Sequence, residues 1–99
     1  MEDLQGFDWD QGNEEKCKKH GLKLEEIESV FKSEIHVSAN YRHATNEDRY
    51  QAVGMTSDGR YVFLVFCLRK RTDGNFIRVI SARYMHKKEI DYYERQTKK

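Results

Sequence analysis

The chain has no proline, one tryptophan and two cysteines among its 99 residues. Without proline, no element is kinked or cut short by a ring-locked φ, so boundaries fall to glycine turns and to charge. Two cysteines build no disulfide framework: Cys17 lies in a charged, helix-like stretch, Cys67 lies inside an apolar run, and neither belongs to a Cys-x-x-Cys pair. The first twenty-five residues contain no apolar h-region, so no signal peptide is expected. The longest apolar run, Tyr61 to Leu68, is far shorter than the roughly 20 residues needed to cross a bilayer. These absences fit a reduced cytoplasmic protein with no membrane association.

Other absences narrow the chemistry. There is no phosphate-cradling glycine loop and no Gly-x-Ser-x-Gly elbow, which excludes the common nucleotide-hydrolysing and serine-hydrolase arrangements. His20, His36, His43 and His86 have no ligand-like spacing and no cysteine neighbours, so neither a metal site nor a cofactor is expected. Internal repeats and low-complexity segments are absent as well. Residues 1–15 lack Lys and Arg entirely, carrying Glu2, Asp3, Asp8, Asp10, Glu14 and Glu15 instead.

What is present is a separation of charge. The net charge is only +1, yet residues 60–88 carry Arg60, Arg69, Lys70, Arg71, Arg78, Arg83, Lys87 and Lys88 against Asp73 alone. A basic surface that meets a polyanion is one reading of this asymmetry, and solvated strand edges are the other. The basic residues surround the most hydrophobic part of the chain. Tyr61-Val62-Phe63-Leu64-Val65-Phe66-Cys67-Leu68 reads as a strand covered on both faces, followed by Arg69-Lys70-Arg71. A turn at Thr72-Asp73-Gly74 leads to the β-branched run Asn75 to Arg83, which should pair with the first as a hairpin.

The remaining segments complete a single domain over residues 1–99. Phe7 and Trp9 alternate with acids as in a short edge strand or extended arm. Asp10 or Asn13 suits the cap of a helix running to about His20, with Glu14 and Glu15 near its start, Lys16, Lys18, Lys19 and His20 toward its end, and Gly21 beyond it. Leu24, Ile27, Val30 and Phe31 share one face of a second helix over Leu24 to Lys32. Ile35 to Ala39 reads as a strand, Asn40 to Asp48 as a polar loop, and Arg49 to Ser57 as a further strand leading into a two-residue Asp58-Gly59 turn. A last helix spans roughly His86 to Gln96. Two helices, an antiparallel sheet of about four strands and a C-terminal helix define an α+β domain.

Arg, Lys and His around a sheet suit metal-free cleavage of RNA. A base takes the 2′-OH proton, cations offset charge on the phosphorane, and an acid protonates the leaving 5′-oxygen. Histidine fits the proton transfers and arginine's planar fork fits the phosphate. Arg78 sits mid-strand between apolar neighbours, where an unpaired guanidinium would be costly. Arg83, five residues on, falls on the opposite face from Arg78 by strict alternation unless the chain turns first.

Several fragments together resemble the BrnT family of bacterial type II toxins, small ribonucleases related in fold to RelE. They are Phe7-Asp8-Trp9-Asp10 with Asn13 and Lys16, Lys19-His20-Gly21, Glu25-Glu26 with Val30-Phe31, and Arg42-His43 with Glu47 and Arg49. Gly54, Asp58-Gly59-Arg60, Ile77-Arg78-Val79-Ile80-Ser81-Ala82-Arg83 and Lys88-Glu89 with Tyr93-Glu94 complete the set. His86 stands three residues before Glu89, where family members often carry a capping threonine. The resemblance implies a metal-independent endoribonuclease that arrests growth. It also implies a cognate BrnA-type antitoxin, usually in a heterotetramer, with operator DNA bound through the antitoxin alone. Carried over to this chain, the catalytic candidates are Lys19, His20, Arg78 and Arg83. Arg60, Arg69, Lys70, Arg71, His43 and Tyr84 are candidates for holding RNA. The competing reading is a non-catalytic RNA-binding or protein-interaction module of the same fold.

Overall fold

The computed structural model describes residues 4–40 and 49–97. Its elements are β1 (Leu4–Phe7), α1 (Gln11–Lys18), α2 (Leu24–Lys32), β2 (His36–Asn40), β3 (Arg49–Met55), β4 (Tyr61–Arg71), β5 (Gly74–Tyr84) and α3 (Lys87–Thr97). The sheet has five strands in the order β1-β5-β4-β3-β2. Strands β2 to β5 form the expected antiparallel meander, and β1 adds a parallel edge strand against β5. The α+β class holds, and the extra strand makes the sheet mixed.

Local chemistry accounts for the helix limits. Asp10 caps α1 by accepting from the Asn13 backbone N–H at 3.1 Å, while the Asn13 side chain accepts from the Asp10 backbone N–H at 2.7 Å. Both residues named as capping alternatives therefore act together, as a reciprocal box. Asn13 has a second use. Its amide nitrogen donates to the carbonyls of Asp8 at 3.0 Å and Val79 at 3.1 Å, and the Asp8 backbone N–H donates to the Ile77 carbonyl at 2.8 Å. So α1 takes over the edge of β5 where β1 stops, and the open edge is covered. α2 keeps the limits read from its apolar spacing, with Ile27 and Val30 buried.

One face of the sheet carries the core. Val62, Leu64 and Phe66 of β4 alternate into it, with Ala52 of β3, Ile77, Val79 and Ala82 of β5, Cys17 of α1 and Leu22 from the connection before α2. Burying a large aliphatic or aromatic side chain contributes roughly 1.5–3 kcal/mol, so this layer holds the domain together. Close approach of α2 depends on Gly54. A Cβ there would lie 2.4 Å from Val30 Cγ1 and 2.9 Å from Ile35 Cγ2.

The other face departs from expectation. The unbroken apolar run of β4 predicts cover on both sides, but Tyr61, Phe63 and Val65 are only half-buried. α3 covers one end of this face and buries none of its own residues completely. Arg69, Lys70 and Arg71 extend β4 itself. The preceding connection is longer than two residues: Thr56 and Arg60 close it through the Thr56 N–H donating to the Arg60 carbonyl at 2.9 Å, with Gly59 at φ 86°.

Candidate functional site

The geometry of β5 turns on one residue. Ile77 and Val79 point into the core, and strict alternation would next send residue 81 inward. Instead Ala82 is buried, because the pairing jumps from Val65↔Ser81 to Phe66↔Val79 and leaves Ile80 as an extra residue on β5. Such a bulge resets the alternation. Arg78 pairs with Cys67 and Arg83 with Phe63, two β4 residues of the same parity. The two arginines therefore share the face away from the core. Their positions correspond to four residues of β4, about 13 Å at the usual rise of a strand.

At the Arg78 end the surroundings are ionic. Arg78 Nη2 lies 2.9 Å from Asp10 Oδ2, and Nη1 lies 3.8 Å from Asp8 Oδ2. Asp8 also reaches Arg71 Nη2 at 3.0 Å, so one carboxylate steadies two guanidiniums. The Asn13 backbone N–H and, after it, Arg78 hold the Asp10 carboxyl below its ordinary range. Beside them lies a cavity of about 270 Å³ lined by Gly12, Asn13, Lys16, Arg49, Cys67, Arg69, Arg78 and Ile80. Four of these are cations and none is an acid. Lys16 reaches it because residues three and four apart share a helix face with Gly12 and Asn13. Arg49 reaches it because it pairs with Cys67, which pairs with Arg78, placing a row across three strands.

The Arg83 end is differently built. Arg83 makes two parallel hydrogen bonds to Glu89 of α3, both 2.8 Å, and its guanidinium lies 4.9 Å from the Phe63 ring centre. Arg83, joined by the His86 backbone N–H at 2.9 Å, holds the Glu89 carboxyl down at about 2. A carboxylate held that low is a poor general base at neutral pH, so Glu89 clamps and does not take protons. The clamp in turn raises the Arg83 pKa. Tyr61 donates to Glu94 at 3.1 Å and packs edge-on against Tyr93, 5.5 Å between centres, and Tyr93 also hydrogen-bonds His36. Burial raises the pKa of both Tyr61 and Tyr93.

The other candidates are dispersed. Lys19 and His20 are exposed in the turn after α1. Asn13 anchors the start of α1 at Val79, whereas Tyr84 donates to Glu26 at the start of α2 at 3.4 Å. The turn carrying Lys19 and His20 connects those two helices, and the eight-residue length of α1 sets it about 12 Å from the Asp10 cap. Arg60 sits over the Tyr84 ring at 3.4 Å, and Tyr84 packs against the core cluster. Arg60 and Tyr84 are thus on the opposite side of the sheet from Arg83. Of the basic cluster, Arg69 lines the cation-rich cavity, Arg71 pairs with Asp8, and Lys70 is exposed. His43 lies outside the described residues.

The fold and face define a class: a small α+β domain whose sheet displays arginines on its helix-poor side. The sequence profile for BrnT, the ribonuclease toxin of type II toxin–antitoxin systems, matches residues 9–89. The chain belongs to this family of ribonuclease toxins. No curated protein matches it significantly. Among the described residues no helix is long and apolar enough to cross a membrane, and no group of three or more His, Cys, Asp and Glu could hold a metal ion.

Proposed function

We propose that the protein is an endoribonuclease toxin that cleaves RNA on the β5 face without a resident metal, inhibits translation and arrests growth. The observation that carries this reading is the shared face of Arg78 and Arg83, produced by the Ile80 bulge beside a cavity rich in cations. Arg78 and Arg83 bind the phosphate oxygens and offset the charge that grows as the 2′-oxygen attacks phosphorus. Donors aimed at such charge are worth about 3 kcal/mol each. His20 or Lys19 serves the proton transfers. Arg69 and Arg71 hold the RNA beside this face; Lys70, Arg60, Tyr84 and His43 are further contacts for the RNA strand, Arg60 and Tyr84 on the other side of the sheet. The toxin acts in the cytoplasm and is neutralised by a BrnA-type antitoxin in a heterotetramer, in which the antitoxin carries operator binding.

Purified protein should cleave RNA in the presence of EDTA. Arg78→Ala or Arg83→Ala should each slow cleavage by on the order of a hundredfold and abolish growth arrest on expression. A double variant cleaving at the unaltered rate rejects the site. Complete loss of cleavage in EDTA rejects the metal-free mechanism.

A further inference from the structure

We infer that the cavity between α1 and the far end of the β3-β4-β5 face is a phosphate-binding subsite that anchors a non-reacting backbone phosphate of single-stranded RNA. The inference rests on the RNA-cleaving reading above, and adds residues that reading did not use. Lys16, Arg49, Arg69 and Arg78 converge on one cavity from a helix and three strands. Asp8 and Asp10 contact Arg78 without lining the space, so no acid stands among the lining residues. Among the described residues Lys16 and Arg49 form no salt bridge. Four cations held together by the fold repel one another, and an anion between them relieves that cost.

The lining decides which part of a nucleic acid enters. The cavity of about 270 Å³ has four cations and no aromatic ring among its lining residues, so it suits a phosphate and offers no platform for stacking a base. Cys67 and Ile80 supply apolar wall, which lowers the local dielectric and strengthens each charge–phosphate contact. Arg78 belongs both to this cavity and to the face shared with Arg83, so a strand anchored here runs on toward Arg83.

The test uses a short 2′-O-methyl oligoribonucleotide, which binds but cannot be cleaved. Its affinity is measured by fluorescence anisotropy over a range of salt. Lys16→Met and Arg49→Met should each weaken binding about tenfold and reduce the log–log salt slope by about 0.7, the share of one phosphate contact on a single strand. In cleavage assays their effect should fall more on KM than on kcat. Arg49→Lys should restore most of the affinity, and Lys32→Met, a matched charge loss on α2, should leave it unchanged. Unchanged affinity and slope in both Met variants, with folding confirmed by thermal unfolding, overturn the inference. So does a wild-type protein that binds no oligonucleotide. So does a Lys16→Met variant impaired in antitoxin binding alone, which would make the cavity a protein-docking site. Inorganic phosphate that shifts the Gly12 and Ile80 amide resonances while oligonucleotide affinity ignores Lys16 and Arg49 would make it a free-phosphate site and also overturn it. Binding that depends on the cavity without any cleavage supports the subsite and rejects the cleavage reading.

Discussion

Arg78 and Arg83 stand on the same strand and face, yet the two ends of that face are built on different principles. Around Arg78 the neighbours are charged and the space is open: other cations line a cavity, and two aspartates steady the guanidinium from its rim. Arg83 lies against the Phe63 ring, and a glutamate from α3 occupies the guanidinium's fork. The first end is organised to receive an anion. At the second, an anion must displace Glu89 before Arg83 can serve it. A basic residue's role is thus set less by its charge than by what already satisfies it.

The largest effect expected from this contrast is at Arg78. Arg78→Lys keeps the charge but loses the planar fork, so cleavage should stay within about tenfold of Arg78→Ala, itself about a hundredfold down. Recovery to near wild-type rate by lysine would show that point charge alone suffices, and the contrast would lose its geometric basis. Asp8→Asn comes next. It removes the carboxylate shared by Arg71 and Arg78, so affinity for single-stranded RNA should rise several-fold at low salt, with the gain shrinking as screening increases. The same change should lower stability by about 1 kcal/mol, read from denaturant midpoints, because Asp8 is only 14% exposed and its pairing is lost. Weaker RNA binding would mean that Asp8 is needed more for holding the arginines in place than it costs in repulsion.

Much of this could be read from the chain, and most of what could not depends on cross-strand register. α2 was legible to the residue because four apolar side chains keep helical spacing, and β4 and β5 because apolar runs flank a glycine turn. The Ile80 bulge was not, since nothing in Val79-Ile80-Ser81 differs from ordinary strand sequence and the extra residue is defined only against its partner. Without it Arg83 falls on the wrong face. The cavity was hidden for the same reason: Lys16, Arg49, Arg69 and Arg78 are far apart in sequence and meet only through cross-strand register and helix docking. The edge strand read around Phe7 and Trp9 lies earlier, at Leu4–Phe7, and its parallel pairing was not legible because the segment is short and contains Gly6 at φ 155°, which weakens any strand signal. Arg69, Lys70 and Arg71 stand together in the sequence, but neighbours on a strand point to different sides, so the sequence alone did not show that Arg69 lines the cavity while Arg71 pairs with Asp8.

The smallest effect expected is at the clamped end, and pH isolates it. Glu89 is held at about 2 in the folded protein, against an ordinary value near 4.5. A carboxylate depressed on folding stabilises the fold fully above its unfolded value and loses that contribution as pH falls through the folded one. The Arg83–Glu89 pair should therefore support α3 at neutral pH and release it progressively between about pH 4.5 and pH 2. Both partners are about one-third exposed, so solvent screening limits the contribution to about 1 kcal/mol. Comparing thermal midpoints of wild type and Glu89→Gln across pH should show a difference of a few degrees at pH 7 that closes in that window. Cleavage at neutral pH should rise modestly in the variant, because Arg83 no longer has to be taken from a charged partner. A midpoint difference independent of pH would assign Glu89 to packing alone, and lower cleavage would make its carboxylate a positioning group for Arg83.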